Sequence, residues 1–250
     1  MKNKEKWRPS KFVYRDGALL GSRDTREVGA ASRLMADAVA RAYDQHLRTY
    51  AAGRLLDLGC GQVPFFQAYK ELVSDNVCVD WSSSLHKNEF VDHECDLTQP
   101  LPFESGAFNT IILSDVLEHI AEPEKLWHEM ARVLALEGNL ILNVPFFYWL
   151  HERPHDYYRY TEHAIRRFAA GCGLSVVHLS AIGGAPEIVA DIVSKNAMRV
   201  PRIGHGLAKA VQWTVGTFVN TKLGRKVSVE TSADFPFGYF CVARKSLNPT

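Results

Sequence analysis

Short apolar runs recur along the chain and alternate with stretches of helical periodicity. A continuous run of about four to eight apolar residues is typical of a strand buried on both faces. Six such runs predict strands: RLLDLG (54–59), NVCVD (76–80), FNTIILSD (108–115), GNLILNVPF (138–146), LSVVHLSAI (174–182) and FGYFCVARK (237–245). A weaker strand-like piece, FVDHEC (90–95), follows the second run.

Between these runs, apolar residues at helical spacing predict helices at 32–50, 64–73, 122–136 and 161–170. Strands that alternate with helices need crossover connections, so the pattern predicts an α/β fold with a mostly parallel sheet. The predicted organisation has three parts: an N-terminal extension with little regular structure (1–30), a main domain (31–182 and 236–250), and a helical insertion between its last two strands (183–235).

Composition and charge narrow the class of protein. Apolar residues make up 46% of the 250 residues and charged residues 23%, the balance of a soluble globular protein. The net charge of +1 gives no overall field toward nucleic acid or membrane. No C-x-x-C pair or zinc-type histidine spacing occurs, so no metal site is expected. Without a signal peptide or a membrane-spanning run, we expect a cytoplasmic protein.

A glycine turn between the first strand and the next helix, in LLDLGCGQVPF (55–65), has the layout of a nucleotide-type site. Gly59 and Gly61 allow positive φ and close approach of a ligand to the backbone. Pro64 stands where a dinucleotide loop needs glycine, and the P-loop sequence is absent. The loop therefore suits a ligand without phosphates, although a tight strand–helix turn explains the same residues.

Three acidic residues lie at or near the carboxyl ends of successive predicted strands: Asp57, Asp80 and Asp96. Open α/β sheets bind ligands at this edge. A carboxylate at Asp80 can accept from two ribose hydroxyls, and one at Asp96 from an exocyclic amine. Asp57 can order the glycine loop or meet a ligand ammonium. Each residue alone is also a common cap or turn former.

Together these motifs resemble class I S-adenosylmethionine-dependent methyltransferases, in particular the methyltransferase type 11 domain. The resemblance rests on LLDLGCG (55–61), VD (79–80), CDLTQPLPFESGAFNTIILSDVLEHI (95–120), RVLALEGNLILNVP (132–145) and GYFCVARK (238–245). It implies a Rossmann-like sheet of seven strands, mostly parallel with the last strand antiparallel, and helices on both faces. It also implies S-adenosylmethionine as the cofactor.

The resemblance assigns cofactor contacts to residues at the strand ends. They are Gly59, Cys60 and Gly61 under the methionine part, Asp57 beside its ammonium, Asp80 at the ribose, Trp81, Asp96 and Leu97 at the adenine, and Ser114 at the sulfonium region.

The segment FFYWLHERPHDYYRYT (146–161) follows the fifth strand and is predicted to cover the reacting methyl group. His155, with His119 as a second candidate, can take a proton from a hydroxyl acceptor. Arg153 and Arg159 can hold an anionic substrate, and Tyr157 and Tyr158 can wall its pocket. The alternative is structural: Thr161 caps the next helix and Asp156 pairs with Arg159. The run HDYYRYT (155–161) within it resembles a subset of bacterial methyltransferases, several of which are associated with glycan or secondary-metabolite pathways.

Two functions remain open from the sequence. The first is methyl transfer to a small-molecule acceptor, a hydroxyl of a glycan-, lipid-linked or secondary-metabolite substrate. The second is a non-catalytic S-adenosylmethionine-binding module with an assembly or regulatory role. Nucleic acid is not expected as a partner, because SDVL (114–117) stands where amine-methylating enzymes often carry an Asn-Pro-Pro-aromatic or Asp-Pro-Pro-aromatic tetrapeptide.

The insertion carries an unusual charge pattern. Residues 192–229 contain no acid but seven bases: Lys195, Arg199, Arg202, Lys209, Lys222, Arg225 and Lys226. Its central helix (205–220) is predicted to place Leu207, Val211, Val215 and Phe218 on one face. Such a face packs on the domain or on a second subunit, giving a homodimer, or it lies on an anionic membrane.

Overall fold

The structure is a computed structural model that describes residues 1–81 and 88–246. Its strands are β1 (Phe12–Arg15), β2 (Ala18–Gly21), β3 (Arg54–Leu58), β4 (Asp75–Asp80), β5 (His93–Glu94), β6 (Phe108–Ser114), β7 (Leu134–Pro145), β8 (Ser175–Ile182) and β9 (Gly238–Arg244). Its helices are α1 (Arg33–Tyr50), α2 (Phe66–Tyr69), α3 (Pro123–Val133), α4 (Glu162–Gly171), α5 (Ala185–Ala197), α6 (Gly204–Val219) and α7 (Lys222–Thr231).

Seven strands form the main sheet in the order β5-β4-β3-β6-β7-β9-β8. The pairings of β3 with β4 and β6, and of β6 with β7, are parallel, whereas β9 lies antiparallel between β7 and β8. The predicted fold class, a Rossmann-like sheet whose last strand is antiparallel, is confirmed. The order reverses between β3 and β6, where such sheets bind ligands.

Two apolar cores cover the two faces of the sheet, which explains why the strands are continuously apolar. In β6, Ile111 and Leu113 pack into the core under α3 and α4, while Ile112 packs into the core under α1. In the first core, α3 contributes the fully buried Trp127. The second core takes Tyr43 from α1.

The N-terminal extension has more structure than expected. Strands β1 and β2 form an antiparallel hairpin, with Asp16 and Gly17 at positive φ in its two-residue turn. An Asp-Gly pair strongly favours a hairpin for this reason, so Asp16 and Gly17 were a sequence signal for this hairpin that the prediction of little regular structure missed. Phe12 and Leu19 of the hairpin are fully buried in the core under α1.

Two helices are shorter than the periodicity predicted. The helix expected at 64–73 is only the single turn α2, and α3 ends at Val133 rather than at 136. Leu134 already pairs with Phe108 of β6 and is fully buried, so sheet pairing takes these residues from the helix.

The insertion folds as α5, α6 and α7, but α6 buries a different face from the predicted one. Its buried residues include Ala208, Gln212 and Val219, while Leu207 and Phe218 remain exposed. Gln212 anchors the helix by donating to the Ala31 carbonyl and accepting from the Leu34 amide. No helix in the described ranges has the length and apolarity needed to cross a membrane.

Candidate functional site

The turn after β3 is held by backbone bonds to β4. The amides of Gly59 and Cys60 both donate to the Val79 carbonyl, at 2.8 and 3.0 Å. Gly59 has a φ of 65°, and a Cβ on it would stand 2.5 Å from a methyl carbon of Val116. Gly61 also has positive φ, at 48°, but a Cβ there would meet no described atom within 4 Å. The loop is thus tight at Gly59 and open at Gly61.

Asp80, at the end of β4, bonds to the glycine loop. Its Oδ2 accepts from the Gly61 amide at 2.9 Å and its Oδ1 from the Trp81 amide at 2.8 Å. An ionised carboxylate has about four acceptor sites, so these bonds are compatible with further donors such as ribose hydroxyls. The Trp81 ring is 45% exposed and meets the His155 ring edge-on, with centroids 5.7 Å apart.

Asp57 is the buried acid of the loop region, with 4% of its surface exposed. Tyr69 donates its hydroxyl to Oδ2 of Asp57 at 3.2 Å. Burial raises the pKa of Asp57 to about 7, with the charge of Asp80 adding to the effect and the Tyr69 bond opposing it. A cation that approached this carboxylate would favour its ionised form.

Asp96 and Leu97 lie beyond β5 at the edge of the sheet. Asp96 is exposed, and its Oδ1 accepts from the amide and the hydroxyl of Thr98 at 2.9 and 2.8 Å. This is the bonding of a turn-forming aspartate. Leu97 is buried.

A cavity of about 610 Å³ opens beside the glycine loop. Ligand sites commonly measure about 300–1,000 Å³. Of the predicted site residues, Asp57, Gly59, Cys60, Gly61 and Ser114 line it. The open backbone at Gly61 and the acids beside the loop fit a cofactor that carries a ribose and an amino-acid ammonium.

The far wall of the cavity comes from residues that the sequence analysis did not select. The carboxylate of Asp115, a residue with a φ of 51°, accepts from the Lys11 ammonium at 3.1 Å and from the side-chain Nδ2 of Asn143 at 2.5 Å. Lys11 belongs to the N-terminal extension, so residues 1–30 contribute directly to the site. Lys11, Asp115, Tyr148 and His151 all line the cavity.

Glu118 forms the deepest acidic part of this wall and is fully buried. Burial raises the pKa of Glu118 well above its usual range, and the charge of Asp115 adds to that shift. Its backbone carbonyl accepts from the amides of Tyr157 and Tyr158 at 2.9 and 3.3 Å. The segment after β6 therefore fixes the predicted lid through main-chain bonds.

Within the lid (146–161), Arg159 and Asp156 form a double hydrogen-bonded ion pair, with N–O distances of 2.5 and 2.9 Å. Arg159 also donates to the carbonyls of Tyr148 and Trp149. Thr161 caps α4 by accepting from the Ala164 amide. The Asp156–Arg159 pair and the Thr161 cap are the contacts expected if these residues have a structural role and do not bind substrate. Arg159 therefore stabilises the lid in this conformation.

Four of the other predicted catalytic and substrate residues are exposed side chains of the lid. Arg153, His155, Tyr157 and Tyr158 are exposed and stand outside the wall of the 610 Å³ cavity. His155 Nδ1 is 3.0 Å from the Tyr157 hydroxyl. His119 Nδ1 is 2.7 Å from the His155 carbonyl oxygen. The structure thus brings His119 and His155 together, beside Trp81.

Comparison with known proteins also indicates a methyltransferase. Residues 56–142 match the family model described as a methyltransferase domain. No curated protein matches the chain. A candidate methyltransferase from Bacillus halodurans C-125 has a similar structure, with 16% identity, a TM-score of 0.52, and 82% of this chain and 98% of that chain covered.

Two other solved structures cover nearly all of this chain. A candidate sarcosine dimethylglycine methyltransferase from Galdieria sulphuraria is 17% identical, with a TM-score of 0.54 and coverage of 96% of this chain and 93% of that one. The [4+2]-cyclase SpnF is 15% identical, with a TM-score of 0.55 and coverage of 96% and 88%. At these low sequence identities, the structural similarity shows a shared fold and nothing about the reaction.

Residues 56–142 therefore match a methyltransferase domain, and the sheet has the Rossmann-like fold expected of class I methyltransferases. The expectation drawn from its sequence motifs is confirmed, and S-adenosylmethionine is its cofactor.

Some of the site residues that were not predicted lie within the motifs quoted from the sequence, and one does not. Glu118 stands next to His119 in the quoted DVLEHI, and His151 lies inside the quoted lid, so both were within the motifs. Lys11 gave no signal, because it lies more than 100 residues from Asp115 and only the folded chain brings the two together.

Proposed function

We propose that the protein transfers a methyl group from S-adenosylmethionine to a small-molecule acceptor, at a hydroxyl of a glycan-, lipid-linked or secondary-metabolite substrate. The observation that carries this proposal is the cavity shared by the glycine loop and the residues after β6 and β7. It joins a place for the cofactor to a space for an acceptor, and the lid lies at its rim.

The proposed cofactor contacts follow the strand ends. Asp57 would meet the methionine ammonium, and the backbone from Gly59 to Gly61 would lie under the methionine part. Asp80 would accept from the ribose hydroxyls, with Trp81 at the adenine. Asp96 and Leu97 remain proposed adenine contacts, and Ser114 a contact of the sulfonium region. The open backbone at Gly61 supports this placement.

When bound, the cofactor would supply a sulfonium-bound methyl group: the acceptor oxygen would bond to the methyl carbon as the carbon–sulfur bond broke, and the electron pair of that bond would stay on sulfur. The protein positions the acceptor and keeps water away from this step. His155 is the proposed base for the hydroxyl proton, with His119 as the second candidate. Arg153, Tyr157, Tyr158 and Arg159 would contact the acceptor if the lid rearranges when it binds.

Binding of the cofactor tests the first half of the proposal. Calorimetry should detect S-adenosylmethionine and its demethylated product, S-adenosylhomocysteine, each at one site. Asp80→Ala should weaken both by about 1–3 kcal/mol, because a charged acceptor is lost, and Asp80→Asn by less. Asp75→Ala, at the other end of the same strand, is the control. Absence of heat with either ligand would contradict the proposal.

Transfer of the methyl group tests the second half. The protein is incubated with methyl-labelled cofactor and a small-molecule extract of the source cells, and the labelled product is identified. A labelled hydroxyl of a small molecule supports the proposal. Cofactor binding without any labelled product would instead support the non-catalytic module. The cyclase that shares this fold illustrates why the reaction must be measured directly.

A further inference from the structure

A buried carboxylate without a partner stands at the cavity wall. Glu118 is fully buried, and neither of its carboxylate oxygens has a hydrogen-bond partner among the described residues. Removing a carboxylate from water is unfavourable unless a proton, a donor or a cation accompanies it. The side chain borders the cavity, so a ligand in that space can reach it.

Two imidazoles face this carboxylate. Nε2 of His119 and Nε2 of His151 lie 3.8 and 3.9 Å from the same oxygen, Oε1 of Glu118. One ligand atom from each of the three residues falls within 4.8 Å of the others. A divalent ion binds such atoms at about 2.0–2.2 Å, so small side-chain rotations would close the three around one ion.

The outer contacts of the histidines set the tautomer that metal binding requires. Nδ1 of His119 donates to the His155 carbonyl at 2.7 Å. Nδ1 of His151 lies 3.3 Å from the Trp149 carbonyl oxygen and 3.4 Å from Oδ2 of Asp156. Both partners are acceptors, so Nδ1 carries the hydrogen and the Nε2 lone pair points toward Glu118. Metal-binding histidines typically have this arrangement.

We propose that Glu118, His119 and His151 bind one divalent transition-metal cation at the cavity wall. Two imidazoles and one carboxylate suit zinc or manganese better than magnesium, which prefers oxygen ligands. Glu152 lies 3.7 Å from Nε2 of His119 at the cavity rim but is not one of the three proposed ligands. No spacing of ligands in the sequence indicates this site, because the three residues are divided between the segments after β6 and β7.

The role of the ion rests on the proposed function. Three protein ligands leave coordination positions open toward the cavity, where the acceptor is proposed to bind. A hydroxyl bound there would have a lowered pKa and release its proton to water more readily. The ion would then orient and activate the acceptor oxygen, and His119 would act as a ligand and not as the base.

Titration of the chelator-treated protein with Zn²⁺, without cofactor, tests the site. Calorimetry should show one saturable site in the wild type. Glu118→Gln and His151→Ala should each weaken it by more than the roughly 10–100-fold that loss of an outer-shell partner costs. Glu124→Gln and His128→Ala, on the exposed side of α3, are matched controls and should leave affinity unchanged.

A second measurement covers the case of a misfolded variant. Zn²⁺ should raise the melting temperature of the wild type but not of Glu118→Gln, whose circular dichroism without metal should match the wild type. The proposal is overturned if Zn²⁺, Mn²⁺ and Mg²⁺ all fail to bind the wild type. It is equally overturned if folded Glu118→Gln and His151→Ala retain full affinity, because the ion then binds elsewhere.

Co²⁺ spectroscopy tests the open positions. The absorption bands of the Co²⁺-loaded protein should shift when acetohydroxamate, a bidentate oxygen ligand, is added. Unchanged bands would contradict an acceptor-binding role. Failure of this proposal is distinct from failure of the proposed function, because S-adenosylhomocysteine binding is measured without metal and Zn²⁺ binding without cofactor.

Discussion

Asp57 is the residue at which cofactor binding should depend most clearly on pH. Its pKa is about 7 in the free protein, and the proposed contact with the methionine ammonium requires the carboxylate. Below pH 7, binding must release the proton from Asp57, so affinity should rise with pH by up to about tenfold per unit. Above pH 7 the carboxylate is already ionised, and affinity should level off.

Calorimetry with S-adenosylhomocysteine from pH 5.5 to 8.5 measures this profile. Asp57→Asn should bind more weakly and show a flatter profile, because the titrating group is gone. Parallel profiles for the two proteins would show that Asp57 does not titrate with the cofactor.

Gly59 combines a left-handed backbone with close packing, so Gly59→Ala should destabilise the protein. A φ of 65° alone costs a non-glycine residue about 1–2 kcal/mol, and Val116 must also move away from the new Cβ. Gly173→Ala is the matched control, since its φ is 75° but no described atom lies within 4 Å of its Cβ position. Urea unfolding should show a larger loss for Gly59→Ala, and equal losses would mean that Val116 moves freely.

At the scale of elements, the lid depends on the Asp156–Arg159 pair. Its carboxylate is nearly inaccessible, with 2% of the side chain exposed, and the Arg159 guanidinium holds the pKa of Asp156 well below its usual range. Asp156→Asn should favour local opening of 146–161 by about 1–3 kcal/mol, because a charged hydrogen bond is lost.

Hydrogen exchange of the lid amides measures this opening. Glu122→Gln removes the exposed pair with Lys125 and serves as the control, because exposed ion pairs contribute about 0–1 kcal/mol. Faster exchange confined to the lid in Asp156→Asn is expected. Unchanged exchange would mean that the main-chain bonds to Glu118 are sufficient to hold the segment.

Residue types that are close together in the sequence predicted the start of one helix but not the buried face of another. The capping of α4 by Thr161 followed from residue types alone, and the structure has it. The apolar stripe of α6 did not identify its buried face, because Gln212 forms buried hydrogen bonds with Ala31 and Leu34 that no periodicity encodes.

For the whole molecule, the insertion presents bases beside exposed apolar side chains. Trp213 is 73% exposed, and Ile203 and Leu207 are also exposed. Lys195 is an exception to the predicted basic surface, since its side chain is only 8% exposed and pairs with Asp191 at 2.7 Å. The other six bases of 192–229 are exposed, so this surface suits an anionic membrane or a second copy of the chain.

We expect the protein to co-sediment with anionic vesicles at low salt and to be released at high salt. Each base near such a surface contributes about 1 kcal/mol, and salt screens it. Changing Arg199, Arg202 and Lys209 to Gln should reduce binding, whereas the same change at the exposed Lys70, Lys125 and Arg166 should not. Equal partitioning of all three proteins would exclude charge-dependent binding, and concentration-dependent dimerisation would favour the second copy.

The sequence by itself determined the sheet and the glycine turn that follows β3. Buried strands need continuous apolar runs, and the turn after β3 needs glycine at Gly59, so both are written in residues close together in the chain. β3 ends at Leu58, directly after Asp57, while β4 and β6 end at Asp80 and Ser114, so these three residues lie at the carboxyl edge of the sheet. Their contacts with the cofactor stay a prediction.

Only the tertiary structure decided the far wall of the cavity. The Lys11–Asp115 pair joins segments that are distant in sequence. The Glu118 carboxylate has no hydrogen-bond partner among the described residues, and His151, one of the two histidines beside it, comes from a separate segment. An unpaired carboxylate is unfavourable at Glu118 because the side chain is buried. That burial depends on how several elements pack together. Local patterns contain no record of such contacts, so His119 appeared as a candidate base before the fold showed it beside Glu118 and His151.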